Sequence, residues 1–246
     1  MSNKSFLVDV FRVPYEEWSY RDKTIEEMQE SWPFFGMIKD HLIDTVTNHD
    51  EAAYYALKNS HNNQFQQHID SMLNESFEYT SLRHLMPKND PSALVSYQNR
   101  CTEEDKVFAD RAIKEYGTKL ASGQILYHGG YWKDSTCLEI TTTRPFSTSF
   151  CPQIAVRNAE WNGKAYNNGA IHLFILKVLK PKSLAYIFSR SGEKGCEKEV
   201  VFESGTKIIL IRAAYFRKIK VSAYDYLLGK VVSKDVPATV FYALII

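Results

Sequence analysis

The sequence has no apolar run long enough to cross a membrane. Its longest runs, such as Leu173–Leu176 and Val240–Ile246, fall far short of the ~20 residues a spanning helix requires. Met1–Phe11 carries a single lysine and no long apolar stretch before small residues, so no secretory signal is expected. Cysteine is sparse: Cys101, Cys137, Cys151 and Cys196 form no C-x-x-C pair and have no neighbouring His at zinc spacing. That pattern argues against a metal site and a disulfide scaffold, and points to free thiols in a reducing cytosol. Neither sign of charge dominates, with 30 basic and 29 acidic side chains for a net charge of +1. A nucleic-acid binder that relies on broad phosphate neutralisation is disfavoured. The motifs G-x-G-x-x-G, G-K-[ST] and G-x-S-x-G are all missing, so dinucleotide-fold, P-loop and hydrolase-elbow readings lose their main support. There is no internal repeat and no low-complexity run.

What remains is a chain of 246 residues, 44% apolar. That length suits one large domain or two small ones at about 150 residues each. Its first 120 residues read as helical. Acidic starts at Glu16-Glu17 and Asp50-Glu51 precede apolar residues at three- and four-residue spacing. Phe65, Ile69, Met72, Leu73 and Phe77 mark such a face across 62–82, and Val107, Ala112, Ile113 and Tyr116 another across 103–121. Thr102 with Asp105 predicts an N-terminal cap, and Lys88-Asn89-Asp90-Pro91 a turn.

From about residue 124 the period changes. Gln124–His128, Leu138–Thr142, Ala170–Val178, Leu184–Phe188, Glu199–Phe202, Lys207–Arg212 and Thr239–Ile246 are short and rich in β-branched and aromatic residues. Pro152–Trp161 predicts one helix, and Asn162–Gly169 a polar loop. Helices followed by strands predict an α+β fold: a helical region, 1–120, then a β core, 121–246. Whether the helical region is integral to that core or separate stays open.

Three segments of the second half could carry chemistry. Ile125–Gly130 is an apolar strand ending in His128 and two glycines, and Phe146–Phe150 sets Ser147, Thr148 and Ser149 between two phenylalanines. Glu197–Thr206 carries two carboxylates, Glu197 and Glu199, ahead of an apolar run and a Gly205 turn. On a strand, residues two apart point to the same face, about 7 Å from one another. Glu197 and Glu199 are therefore expected to project together, one steadying a developing cation and the other activating a nucleophile. Glycines at a strand end admit a ligand to the backbone, and a Ser-Thr-Ser run can hold a carboxylate in orientation. The three together describe a slot for a planar, amide-bearing ring with an acid at its mouth.

These three elements, over roughly residues 124–215, resemble the ADP-ribosyltransferase superfamily, the bacterial mono-ADP-ribosylating toxins in particular. Phe146–Phe150 matches the S-T-S strand, and Glu197–Thr206 matches E-x-E, an apolar run and G-[ST]. Where the toxin branch has Arg, this chain has His128, and Tyr127-His128-Gly129 looks like the first motif of the diphtheria-toxin and poly(ADP-ribose) polymerase branch.

The resemblance implies NAD as substrate, bound in a cleft between two small sheets, and transfer of ADP-ribose to a side chain of a target protein. It implies that Glu199 is the catalytic glutamate, that Glu197 activates the acceptor, and that Ser147 holds Glu199. It also implies that Tyr127, His128, Gly129, Ser147, Thr148 and Ser149 line the NAD site, with Gly129 pairing the nicotinamide carboxamide. A neutral His cannot clamp a pyrophosphate as a guanidinium does, so Arg144 or Arg157 is expected to take that charge. The Ser189–Cys196 segment reads as a mobile loop and, by the resemblance, recognises the target, with the helical half as a further docking platform. E-x-E goes with arginine acceptors in that family, and a hydroxyl acceptor stays open. The resemblance further implies a soluble toxin or effector, exported by a non-Sec route and active in a host cytosol. Two alternatives stand beside it: an NAD glycohydrolase, and a catalytically inactive interaction module of the same fold. Cys196 has no neighbouring base and reads as inert; Lys180-Pro181-Lys182 and Arg217-Lys218-Ile219-Lys220 read as solvated faces.

Overall fold

The computed structural model describes residues 6–30, 32–33, 35–132, 138–192 and 194–246. Cys137, Glu193 of the Ser189–Cys196 loop, and Met1–Ser5 of the N-terminal segment lie outside the described residues.

The helical reading of 1–120 needs one correction. Before the main helices the chain forms a two-stranded antiparallel sheet, β1 (Tyr15–Asp22) and β2 (Met37–Val46), around a short helix α1 (Ile25–Glu30). Each strand has a single buried residue, and exposed positions hold polar and apolar side chains alike, which hides the period-two pattern that buried strands show. Helices follow: α2 (His49–Lys58), α3 (Asn63–Glu75), α4 (Phe77–His84), α5 (Ser92–Asn99) and α6 (Glu103–Tyr116). The expected helix over 62–82 divides at Ser76, whose hydroxyl accepts from Tyr79 N at 3.1 Å and starts a new helix. The Thr102–Asp105 capping box forms as expected at the head of α6.

The second half supplies β3 (Ile125–Gly130), β4 (Glu139–Thr141), β5 (Phe146–Ser149), α7 (Pro152–Glu160), α8 (Lys164–Asn168), β6 (Ile171–Val178), β7 (Ala185–Ile187), β8 (Glu199–Phe202), β9 (Lys207–Asp225) and β10 (Lys230–Ile245). The polar stretch expected as a loop over 162–169 contains α8. The last two strands run far beyond their expected ends, because their distal parts alternate Lys218, Lys220 and Ser222 against Ile219 and Val221 on one half-buried face. Among the described residues no helix is long and apolar enough to cross a membrane.

The eight later strands form one sheet in the order β4-β9-β10-β6-β3-β5-β8-β7. Instead of two separate sheets, the ladder is continuous but narrows to a single bridge, Tyr127–Ser149, between β3 and β5. On either side it is fuller: β3 pairs with β6 from Ile125 to Gly130, and β5 with β8 along its whole length. One apolar cluster runs through both halves, from Val8 and Phe65 to Phe202 and Ile245. Gln124, fully buried, ties the N-terminal segment to the head of β3 by exchanging two 2.9 Å hydrogen bonds with the Val8 backbone.

Gly129 is where helix α7 lies closest to β3. A Cβ there would sit 1.7 Å from the Ala155 carbonyl oxygen and 2.9 Å from Ala159 N. Both are helix backbone and cannot rotate away. Gly129→Ala is expected to push α7 off the sheet at about 3 kcal/mol, lowering the melting temperature by about 10 °C. Scanning calorimetry of the variant checks this, and an unchanged melting temperature would contradict the packing described.

Candidate active site

The chemistry gathers at the single-bridge seam. β8 is buried along its length between β5 and β7, and Glu199 opens it at 7% exposure. One carboxylate oxygen accepts from the Ser147 hydroxyl and the other from the Gln98 amide. Both donors are neutral. Burial pushes the Glu199 carboxyl above the ordinary carboxylate range, against these two hydrogen bonds; Glu197 adds to the rise and Lys194 opposes it. A carboxylate held this way has its orientation fixed and its charge little compensated, so it is disposed to stabilise a cation formed beside it.

Glu197 does not share the strand. The chain reaches β8 through a 3-10 turn, Gly195–Glu197, and Lys198 then adopts φ 51°. The expected pair of carboxylates alternating on one strand face is therefore replaced by a turn residue beside a strand residue. The physical reason lies between them. The Lys198 side chain has no exposed surface, and its ammonium meets Asp70 at 3.1 Å and the Cys196 carbonyl at 2.8 Å. A buried ammonium requires such partners, and the left-handed turn delivers it to them. Glu197 is half-buried, its carboxyl raised by burial against Lys194.

Of the three hydroxyls, only Ser147 reaches the acid. Thr148 donates to the Val200 carbonyl at 2.7 Å, and Ser149 to the Glu197 carbonyl at 2.7 Å. Those bonds hold β5 to the 197–200 segment.

His128 stands across the seam. Its Nδ1 meets the Ser147 carbonyl at 2.7 Å, and its ring packs against Phe146 and Phe174, 4.5 and 5.7 Å between centroids. Burial pushes its pKa down to about 4, the Ser147 carbonyl opposing and Arg144 assisting. The neutral ring therefore donates from Nδ1 and leaves Nε2 as an acceptor. Nε2 lies over Gly130, where a Cβ would come within 2.4 Å of it.

The depressed value has a consequence for stability. In the unfolded chain this imidazole takes its proton near 6.5, and in the folded protein only near 4. The contribution is complete above pH 6.5 and lost as pH falls through the interval to 4, amounting to about 3 kcal/mol. Urea unfolding of the protein and of His128→Gln between pH 7.5 and 4.5 checks this; the variant is expected to show a shallower decline.

Tyr127 faces the other way, its hydroxyl hydrogen-bonded to His49 Nδ1 on α2 at 2.8 Å. It is a packing residue between the halves and does not join His128. Gly129 lies level with Ser147, where the β3–β5 ladder has already ended. Val178 N donates to the Gln124 carbonyl at 2.8 Å, so the alternation of an antiparallel ladder turns the Gly129 N–H and C=O away from β6 and into the seam. Arg144 is exposed near His128, with no ion-pair partner among the described residues. Arg157, the other expected source of positive charge, is committed elsewhere: it donates to Ser60 O at 3.2 Å and Gln66 Oε1 at 2.8 Å, docking α7 on the helical half.

The loop over 189–196 is tethered by the helical half at three points. Asp90 accepts from Ser189 N at 3.0 Å and from the Tyr186 hydroxyl at 2.8 Å. Arg190 is bound by Asp70 and Asn74 of α3. Lys194 donates to the Gln98 carbonyl at 2.6 Å. The expectation of a mobile loop overlooks these anchors. Gln98, Asp70 and Asp90 are the site residues that sequence reasoning missed. Each acts across about 100 residues of chain or more, and no local pattern marks any of them for the site; Asp90 shows in the sequence only as part of a turn.

No protein-family model and no curated protein matches the sequence. Among solved structures, the chain is similar to the ADP-ribosyltransferase Vis, at 14% identity over 79% of this chain and 72% of that one, with a TM-score of 0.38. It is also similar to C3larvin toxin, an ADP-ribosyltransferase from Paenibacillus larvae, at 14% identity over 69% and 92%, with a TM-score of 0.39. A third is BECa, an ADP-ribosylating toxin of C. perfringens solved with NADH, at 15% identity and a TM-score of 0.37; this chain, matched over 95% of its length, spans 56% of that one.

Proposed function

We propose that this protein is a mono-ADP-ribosyltransferase that moves ADP-ribose from NAD to a side chain of a target protein. The observation that carries the reading is Glu199, a buried carboxylate fixed by Ser147 and Gln98 beside a seam into which Gly129 turns unladdered peptide groups. Those groups suit the carboxamide of a nicotinamide ring, which needs one donor and one acceptor. His128 Nε2 suits a ribose hydroxyl, and the Arg144 guanidinium suits a diphosphate. The residues present therefore fit the dinucleotide, with Ser147 in contact with the acid and Thr148, Ser149 and Tyr127 supporting from behind.

As the bond between nicotinamide and ribose stretches, the sugar becomes cationic, and Glu199 supplies a fixed negative charge near it. No solvent need reorganise for that charge to act. Glu197, on the turn before β8 and at the foot of the 189–196 loop, is placed to orient or deprotonate an incoming nucleophile. The loop, with the helices that anchor it, is the surface over which a target protein would present that nucleophile.

Intact-mass spectrometry of lysate proteins incubated with the protein and labelled NAD tests the reading. The expected result is a protein carrying one ADP-ribose. Free ADP-ribose with no modified protein would make the enzyme a glycohydrolase, and no consumption of NAD would reduce it to a binding module. Glu197→Gln separates the two steps. It is expected to cut transfer to protein by about 10²-fold while NAD cleavage by water persists.

A further inference from the structure

The β9–β10 hairpin overhangs the rest of the sheet. β10 meets β6 only from Ala238, opposite Ile171, whereas its pairing with β9 extends back to Lys230, opposite Asp225. The overhang is about 25 Å of ladder. One face of it is braced by the segment before β6. Gly163 abuts Ala223, and the Lys234 ammonium lies 4.5 Å from the centre of the Tyr166 ring.

The tip leaves apolar groups in water. Tyr226 is 89%, Leu227 98% and Leu228 61% exposed, with Tyr224 and Val231 exposed behind them. This is a built conformation: Asp225 accepts from the Leu227 and Leu228 N–H groups at 2.9 and 3.0 Å, and Gly229 takes φ 61°. The turn is held so that its two leucines point outward. Trp161, itself 66% exposed, lines a shallow hollow with Tyr224, Tyr226 and Val231, a grouping of amphipathic rings such as sits at the headgroup level of a bilayer.

The charge around the tip is as uneven as the polarity. Residues 216–236 hold five basic and two acidic side chains, in a chain whose net charge is only +1. One of those acids, Asp225, is occupied by the turn, and the other, Asp235, stands opposite Lys220 in the ladder. Lys218, Lys220 and Lys230 are exposed behind the leucines. Apolar side chains at the tip, with lysines strung along the hairpin behind them, match a surface that is oily inside and anionic outside.

We infer that the β9–β10 hairpin docks this protein on an anionic phospholipid membrane, with Leu227 and Leu228 entering the interface and Lys218, Lys220 and Lys230 meeting the headgroups. The hairpin leaves the sheet at the end that carries His128, since Gly130 pairs with His172 and Ala238 with Ile171. Docking would therefore turn that end of the sheet toward the membrane. The inference stands apart from the catalytic reading, because binding uses none of the residues placed in the site.

Flotation of the full chain with phosphatidylcholine vesicles, with and without phosphatidylserine, tests it. Binding is expected only to the phosphatidylserine vesicles and is expected to weaken with added salt. Leu227→Asp/Leu228→Asp is expected to lower it at least tenfold, as is the charge-neutralising Lys218→Gln/Lys220→Gln/Lys230→Gln, with NAD turnover in solution and the melting temperature unchanged. Absence of binding to anionic vesicles, or undiminished binding by the leucine variant, would overturn the inference. So would light scattering that shows a dimer dissolved by the leucine substitutions, since the tip would then serve a second copy of the chain.

Discussion

Glu199→Gln is expected to lower the rate of NAD cleavage by about 10²–10³, or about 3–4 kcal/mol of transition-state stabilisation. The fold should not suffer. Gln has the shape of Glu, and the position is one where burial disfavours the charged form. Removing the charge removes that penalty, so the melting temperature should hold or rise. Loss of rate with gain of stability is the signature of a group kept for chemistry at the expense of packing. A stopped assay of nicotinamide release beside a thermal melt gives both quantities. A variant that cleaves NAD at the original rate would remove Glu199 from the mechanism.

Asp70→Ala is expected to have the largest effect on stability, about 3–5 kcal/mol, because it leaves the Lys198 ammonium buried without a countercharge. Asp70 serves two cations at once, Lys198 and Arg190, so its loss also weakens one of the three tethers of the loop that precedes Glu199. Asp70→Leu/Lys198→Met should recover much of the loss, since an apolar pair of similar volume removes the fully buried Lys198 charge, while Arg190 keeps Asn74. Urea unfolding of the single and double variants measures both terms. A cost below about 1 kcal/mol for Asp70→Ala would mean that Lys198 reaches water on losing its partner.

How far the sequence led depended on the range of the signal. β8 was legible to the residue, because Glu199–Phe202 is a run of buried residues bounded by polar ones. The capping box at Thr102–Asp105 was legible for the same reason: both of its partners lie within one turn. The β1–β2 hairpin was not, since strands exposed on both faces lack the alternation that burial imposes. The placement of Glu197 failed at one residue. Period-two reasoning holds only while the backbone stays extended, and Lys198 leaves that region to reach Asp70, a partner 128 positions earlier in the chain. Gln98 was invisible for a related reason. A glutamine at the end of a short helix is ordinary until the fold lays it against a carboxylate. Arg157 shows the converse, a plausible charge near the site in sequence that the fold spends on joining two helices.

The single Tyr127–Ser149 bridge bears on how such a cleft diversifies. Across this seam the two ladders are joined by a side-chain hydrogen bond, His128 on the Ser147 carbonyl, and one main-chain bridge. Point substitutions at those few positions can widen or narrow the opening without re-registering a strand. Descendants of one backbone could therefore come to admit ligands of different bulk through changes that leave the scaffold's folding untouched.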